Sequence, residues 1–230
     1  MSRRNKLQKF AEVLSFPNVY ENINPDEPAL GGLNGEQVEL RGSWASRHFQ
    51  NHNPITLELA CGRGEYSLGL ARLFPNRNFI GVDIKGARIW KGARTALDEN
   101  LQNVAFLRTR IEQITHFFAP EEVDEIWITF PDPFLRNSKS NRRLTSLPFL
   151  ERYAGFLKKG GLVHLKTDSA ELYEFTLDVL AGQTAYRLLF HDDDIYTKPL
   201  PMSELEIKTY YEKMHLENGK TIKYVRFEKL

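Results

Sequence analysis

Cysteine is almost missing from these 230 residues: Cys61 stands alone, which excludes an intrachain disulfide and a cysteine-built zinc cage and leads us to expect a reducing, cytoplasmic setting. Long apolar runs are missing too. No stretch reaches the roughly eighteen uncharged apolar residues that a membrane span needs. Residues 1–20 carry Arg3, Arg4, Lys6 and Lys9 with no apolar segment behind them, unlike an export signal, so no membrane partner is expected. None of the six histidines falls in a metal-ligand spacing such as H-E-x-x-H, and no metal is expected. Charge of one sign is scarce only locally. The totals nearly cancel, 31 basic against 30 acidic residues, yet between Asp132 and Glu151 there is no acid at all, while Arg136, Lys139, Arg142 and Arg143 fall within eight positions.

What is present is the composition of an ordinary folded chain, 41% hydrophobic and 27% charged. Leu7, Phe10, Ala11 and Leu14 recur at helical spacing and predict a short amphipathic helix. Residues 17–54, rich in Pro, Gly and Asn, read as an extended wrapping arm with little regular structure. From residue 55 short apolar runs alternate with longer amphipathic ones, the pattern of a parallel sheet covered on both faces. Strands are predicted at 55–60, 78–84, 104–107, 123–130, 161–166, 186–190 and 221–227. Helices are predicted at 65–73, 87–99, 111–118, 147–157 and 170–180, the second burying Ile89, Ala93, Ala96 and Leu97. The whole predicts a doubly wound, mostly parallel α/β sheet over 55–230, preceded by a helix and arm over 1–54.

In such sheets ligands bind beyond the carboxyl ends of the strands. The first strand runs into E-L-A-C-G-R-G-E-Y, where Gly62 and Gly64 let a nucleotide approach the backbone. The second ends in G-V-D-I, and Asp83, nineteen residues past Gly64, stands where an acid accepts hydrogen bonds from ribose hydroxyls. Two cofactors fit this pattern. A nicotinamide dinucleotide brings a pyrophosphate, usually with a third glycine where this chain has Ser67, and Glu65 at the helix start repels it. S-adenosylmethionine carries an ammonium and a sulfonium, which Glu58 and Glu65 attract. The acids favour the sulfonium cofactor.

The fourth strand ends in E-I-W-I-T-F-P-D-P-F-L-R-N-S-K-S-N-R-R-L-T. Asp132 sits between two prolines that fix the backbone around it, and the four basic residues that follow suit a phosphate backbone. Next to a cofactor site, this loop points to RNA.

These motifs resemble the tRNA (guanine-N7)-methyltransferases, a class I S-adenosylmethionine-dependent family. The resemblance covers about residues 55–228 and rests on an ordered series: E-L-A-C-G-R-G, G-V-D-I-K, F-P-D-P with R-R-L-T, L-K-T-D, and T-Y-Y-E. It implies a Rossmann-like, seven-stranded sheet with an antiparallel last strand, and methyl transfer to N7 of a guanosine in the variable loop of tRNA. It places Glu58 and Asp83 on the cofactor and Asp132 as the catalytic acid beside it. Arg136, Asp168, Thr209 and Glu212 fall on the substrate side, with Arg142 and Arg143 joining from the basic loop. The chain departs from the family with Ala60 where Gly is usual, a change expected to constrain the turn only slightly, with Phe134 for Trp, and with Arg110 in place of an adenine-contacting acid. A monomer or homodimer is expected. Three alternatives remain: a silent tRNA-binding protein of the same fold, a class I methyltransferase with another substrate, and, disfavoured by Ser67, a dehydrogenase.

Overall fold

A computed structural model describes residues 5–22, 24 and 26–230, so Arg3 and Arg4 of the basic N-terminal cluster lie outside the described residues. The chain divides into two compact units, Met1–Ala119 and Pro120–Leu230.

The first unit comprises α1 (Lys6–Val13), β1 (Val19–Asn22), β2 (Leu30–Gly31), β3 (Gln37–Val38), β4 (Ile55–Leu59), α2 (Glu65–Leu73), β5 (Asn78–Asp83), α3 (Gly86–Asp98) and β6 (Val104–Arg108). Four strands run parallel in the order β1-β6-β5-β4, pairing Val19 with Phe106, Phe79 with Val104 and Ile55 with Asn78. Burial is unbroken along β4 and β5, as expected of strands covered on both faces. Phe106 is the keystone of this core: its ring fills the space that side chains at Gly64, Gly81 and Gly92 would need.

Two expectations are refined here. Residues 17–54, expected to hold little regular structure, contribute short strands: β1 adds a parallel strand to β6, β2 and β3 pair antiparallel beyond it, and Trp44–His48 forms a π-helical turn. Val19, Tyr20, Leu30, Leu40 and Trp44 are buried, at spacings that match neither helix nor strand over a long window. The N-terminal helix also turns a different face inward. Val13 is fully buried while Leu7 is 79% exposed, because α1 leans on α3 through Lys9, whose ammonium lies over the Trp90 ring, and Glu12, which accepts from the Trp90 indole. On α3 itself Ile89, Ala93 and Ala96 are buried as expected, with Gly92 completing the face in place of Leu97. The 111–118 segment is a 3-10 helix, Ile111–His116.

The second unit comprises β7 (Val123–Thr129), α4 (Leu147–Ala154), β8 (Leu157–Thr167), α5 (Ala170–Ala181), β9 (Tyr186–Asp192), α6 (Tyr210–Glu217) and β10 (Lys223–Lys229). β7 and β8 are parallel, and β10 runs antiparallel between β8 and β9, as expected of the last strand. Its core is partly polar: Trp127 stacks on His164 at 4.0 Å, and His164 Nδ1 lies 2.7 Å from the Tyr224 hydroxyl. Both units are α/β and mostly parallel, with ten strands among the described residues against the seven expected; the three additional ones are β1, β2 and β3. No described helix is long and apolar enough to cross a membrane.

Candidate active site

The first unit assembles its acids around the turn between β4 and α2. Glu58, near the end of β4, is buried, a costly place for a carboxylate without partners. Ser67 supplies them: its backbone N–H and its hydroxyl donate to Glu58 Oε2 at 2.8 and 2.5 Å, from the positively polarised first turn of α2. Ser67, read in the sequence only as a missing glycine, is thus what allows an acid on an apolar strand. Asp83, at the end of β5, accepts from Gly62 N–H at 2.9 Å with one oxygen and from Lys85 N–H at 2.8 Å with the other. The sequence-predicted group Glu58, Gly62, Gly64 and Asp83 is therefore brought together in this unit.

The two glycines differ in purpose. Both have positive φ, +57° at Gly62 and +66° at Gly64, but a Cβ at Gly64 would collide with Phe106, whereas one at Gly62 would meet nothing within 4 Å. Gly64 is a packing glycine; Gly62 borders open space. Cys61, between them and the acids, is buried, and burial together with the charges of Glu58 and Asp83 pushes its thiol well above its ordinary range. The cradle suits S-adenosylmethionine: the bare backbone at Gly62 faces open space, and each Asp83 oxygen, holding one N–H, keeps a lone pair for a ribose hydroxyl. Arg110 and Glu112, the departure in adenine reading and its nearest acid, are both exposed at the end of β6 and the start of the 3-10 helix.

In the second unit Asp132 is exposed on the turn after β7. Its Oδ1 accepts Phe134 N–H at 3.2 Å, and no cation among the described residues pairs with it. Asp168, after β8, is differently placed: Lys220 donates to it at 2.6 Å and His215 Nε2 lies 3.5 Å away. Of the basic loop, Arg136, Lys139 and Arg142 are exposed, Arg142 lying over the Phe134 ring at 4.7 Å, whereas Arg143 is buried. Thr209 caps α6, its hydroxyl accepting from Glu212 N–H at 3.2 Å. Glu212 turns inward to Lys166 at 2.7 Å, and the Tyr196 hydroxyl donates to the same Glu212 oxygen. Tyr210 and Tyr211 stay exposed.

Sequence reasoning missed Lys166, Tyr196 and Lys220. Only Lys166 left a signal, a charge at the end of an apolar strand in L-K-T-D. Among the described residues no group of three or more His, Cys, Asp or Glu is placed to hold a metal ion.

Residues 52–225 match the family model described as "Putative methyltransferase". Among curated proteins, the tRNA (guanine-N(7)-)-methyltransferase of Christiangramia forsetii is 48% identical over 99% of both chains. The protein of that name from Porphyromonas gingivalis is 52% identical over 82% of this chain and 76% of its own. Among solved structures, the 16S rRNA methyltransferase KamB superposes with a TM-score of 0.61 at 13% identity, covering 84% of this chain and 96% of the other. That likeness extends to the fold alone, and it bears out the Rossmann-like, mostly parallel α/β architecture.

Proposed function

The chain belongs to the tRNA (guanine-N7-)-methyltransferases, and from that membership we propose that it transfers the methyl group of S-adenosylmethionine to N7 of a guanosine in the variable loop of tRNA. S-adenosylmethionine supplies an electrophilic methyl on a sulfonium. Guanine N7 offers a lone pair and carries no proton, so the chain needs no general base. The N7–CH3 bond forms as the S–CH3 bond breaks, its electron pair stays on sulfur, and positive charge passes to the purine.

Orientation is then the main task of the side chains. Holding N7 about 3 Å from the methyl carbon in line is worth about 7–11 kcal/mol in favourable intramolecular models. Guanine's N1–H and 2-amino group form a two-donor edge that one carboxylate accepts as a fork. The observation that carries this reading is the Asp132 carboxylate, exposed and without an ion pair among the described residues, on a turn fixed by two prolines. Asp168 suits the fork less well, because Lys220 and His215 already hold it. A carboxylate there also opposes the charge that develops on the alkylated ring. Glu58 and Asp83 hold the methionine and adenosine portions, with Gly62 giving the backbone room.

The target base leaves its stack at a cost of a few kcal/mol, which phosphate contacts from Arg136, Lys139 and Arg142 offset. Tyr210 and Tyr211, exposed and edge-to-face at 5.7 Å, offer stacking surfaces. Residues 55–230 are read as the transferase domain and 1–54 as its N-terminal extension. A cytoplasmic setting accords with a tRNA substrate and a free cysteine. Purified protein incubated with unmodified tRNA and S-adenosylmethionine should yield 7-methylguanosine by nucleoside mass spectrometry; tRNA left unmethylated overturns the reading.

A further inference from the structure

Arg142 and Arg143 are adjacent, identical in chemistry and indistinguishable by composition, yet the structure treats them as opposites. Arg142 ends a 3-10 helix, Asn137–Arg142, and lies in solvent over the Phe134 ring. Arg143 follows in extended conformation and is 5% exposed. Its Nε donates to the carbonyl of Pro133 at 3.0 Å and its Nη2 to that of Phe134 at 3.2 Å, while the guanidinium plane lies 4.4 Å from the centre of the Phe175 ring on α5. We propose that Arg143 is a positioning residue, a clamp that holds the turn carrying Asp132, and that it makes no phosphate contact.

The turn needs a clamp. Phe130 and Phe134, on either side of Pro-Asp-Pro, both have positive φ, +49° and +42°, a region that bulky L-residues occupy only when their surroundings hold them there. Pro131 and Pro133 have no N–H with which to tie the turn down. Of the three N–H groups left, that of Phe130 donates to the Lys166 carbonyl at 2.8 Å, which ties down only the start of the turn, and that of Phe134 is directed at the Asp132 carboxylate itself. The aim of Asp132 therefore depends on the peptide plane between Pro133 and Phe134, whose N–H it accepts, and the carbonyl of that same plane, with the next one, is what Arg143 grips. A planar fork meets two neighbouring carbonyls with its edge while its face stacks on the Phe175 ring, and a lysine ammonium has no plane with which to do both. Phe175 closes the other face, so the guanidinium is held between α5 and the turn with little surface left for a nucleic acid.

The inference rests on the tRNA-methylating reading and is tested against it in one assay series. Transfer to tRNA and the salt dependence of tRNA binding are measured for wild type, R142Q, R143K and R143G, with thermal melting and S-adenosylmethionine affinity as controls for folding. R142Q should weaken tRNA binding and lower the salt slope by about 1. R143K should keep the wild-type salt slope and tRNA affinity while kcat falls by on the order of 100-fold, the penalty of about an ångström of misplacement. Added guanidinium should restore part of the activity of R143G. Should R143G not fold, R143K decides alone. A salt slope lowered by about 1 in R143K, or a wild-type kcat, overturns the clamp. Wild-type protein that leaves tRNA unmethylated instead overturns the function, a separate result.

Discussion

Lys166 Nζ lies 2.7 Å from Glu212 Oε1, and neither side chain reaches solvent. The ammonium also donates to the carbonyls of Leu205 and Ile207 at 3.0 and 3.1 Å. The end of β8, the segment before α6 and the first turn of α6 are thereby joined at one buried charge. Burial pulls the Lys166 ammonium down to about 8, against the Glu212 carboxylate, which holds it up. Breaking one side of such a pair strands the other charge. K166M should therefore lose about 3–5 kcal/mol of stability in urea unfolding, and K166M/E212L should recover most of it. Additive losses in the double variant would show that the two groups are not coupled. Glu212, which the family pattern puts on the substrate side, is on this geometry an anchor whose removal is felt first in folding.

The roles given to Asp132 and Asp168 separate in a substitution series. D132N keeps the size of the side chain but replaces one acceptor oxygen with a donor, which clashes with the guanine edge. Methyl transfer should fall at least about 100-fold while affinity for S-adenosylmethionine stays within about twofold. D168N should be milder in kcat, since it mainly releases Lys220 and His215. Equal rates for D132N and wild type would remove Asp132 from the reaction.

Ala60 carries a backbone cost. Its φ is +57°, in the left-handed region where a Cβ crowds the carbonyl by roughly 1–2 kcal/mol. The constraint is thus larger than the sequence suggested. A60G should stabilise the protein by about 0.5–1 kcal/mol, once the greater freedom of glycine in the unfolded chain is subtracted. An unchanged or lower urea midpoint would show that the turn is not strained at this residue.

His48 sets an acid limit. Burial draws its imidazole down to about 4, and Tyr20 meets its Nδ1 at 2.6 Å. Below pH 6.5 the unfolded chain takes up a proton here that the folded one refuses, so this stabilisation is complete above pH 6.5 and lost as pH falls towards 4. The loss is at most roughly 3 kcal/mol. H48Q should flatten the fall in unfolding free energy across that window; parallel curves for the two proteins would exclude the histidine as its source.

Much of this was legible in the residues. The β/α alternation gave α2 to the residue, because a glycine turn opens it and its apolar spacing is regular. The acids of the cofactor cradle were visible as charges in or beside apolar strands. What stayed hidden shares a physical cause: it depends on where a side chain points once the backbone leaves a regular period. Arg142 and Arg143 look alike until the 3-10 helix ends between them. β1 escaped notice because four residues are too few to show alternation. Leu7 stays outside because α1 meets the Trp90 of its partner helix through its own Lys9 and Glu12, not through an apolar stripe.

The placement of β10 has a bearing on how a ribosome delivers this protein. Among the described residues β9 finds its neighbour only in residues 223–229, and β8, paired with β7 on one side, has its other edge covered only by them. Until those residues emerge from the exit tunnel, a nascent chain presents two naked sheet edges, the kind of surface that sticks to other chains. A premature stop near the end would therefore yield a product suited to proteolysis or aggregation rather than a slightly weakened enzyme.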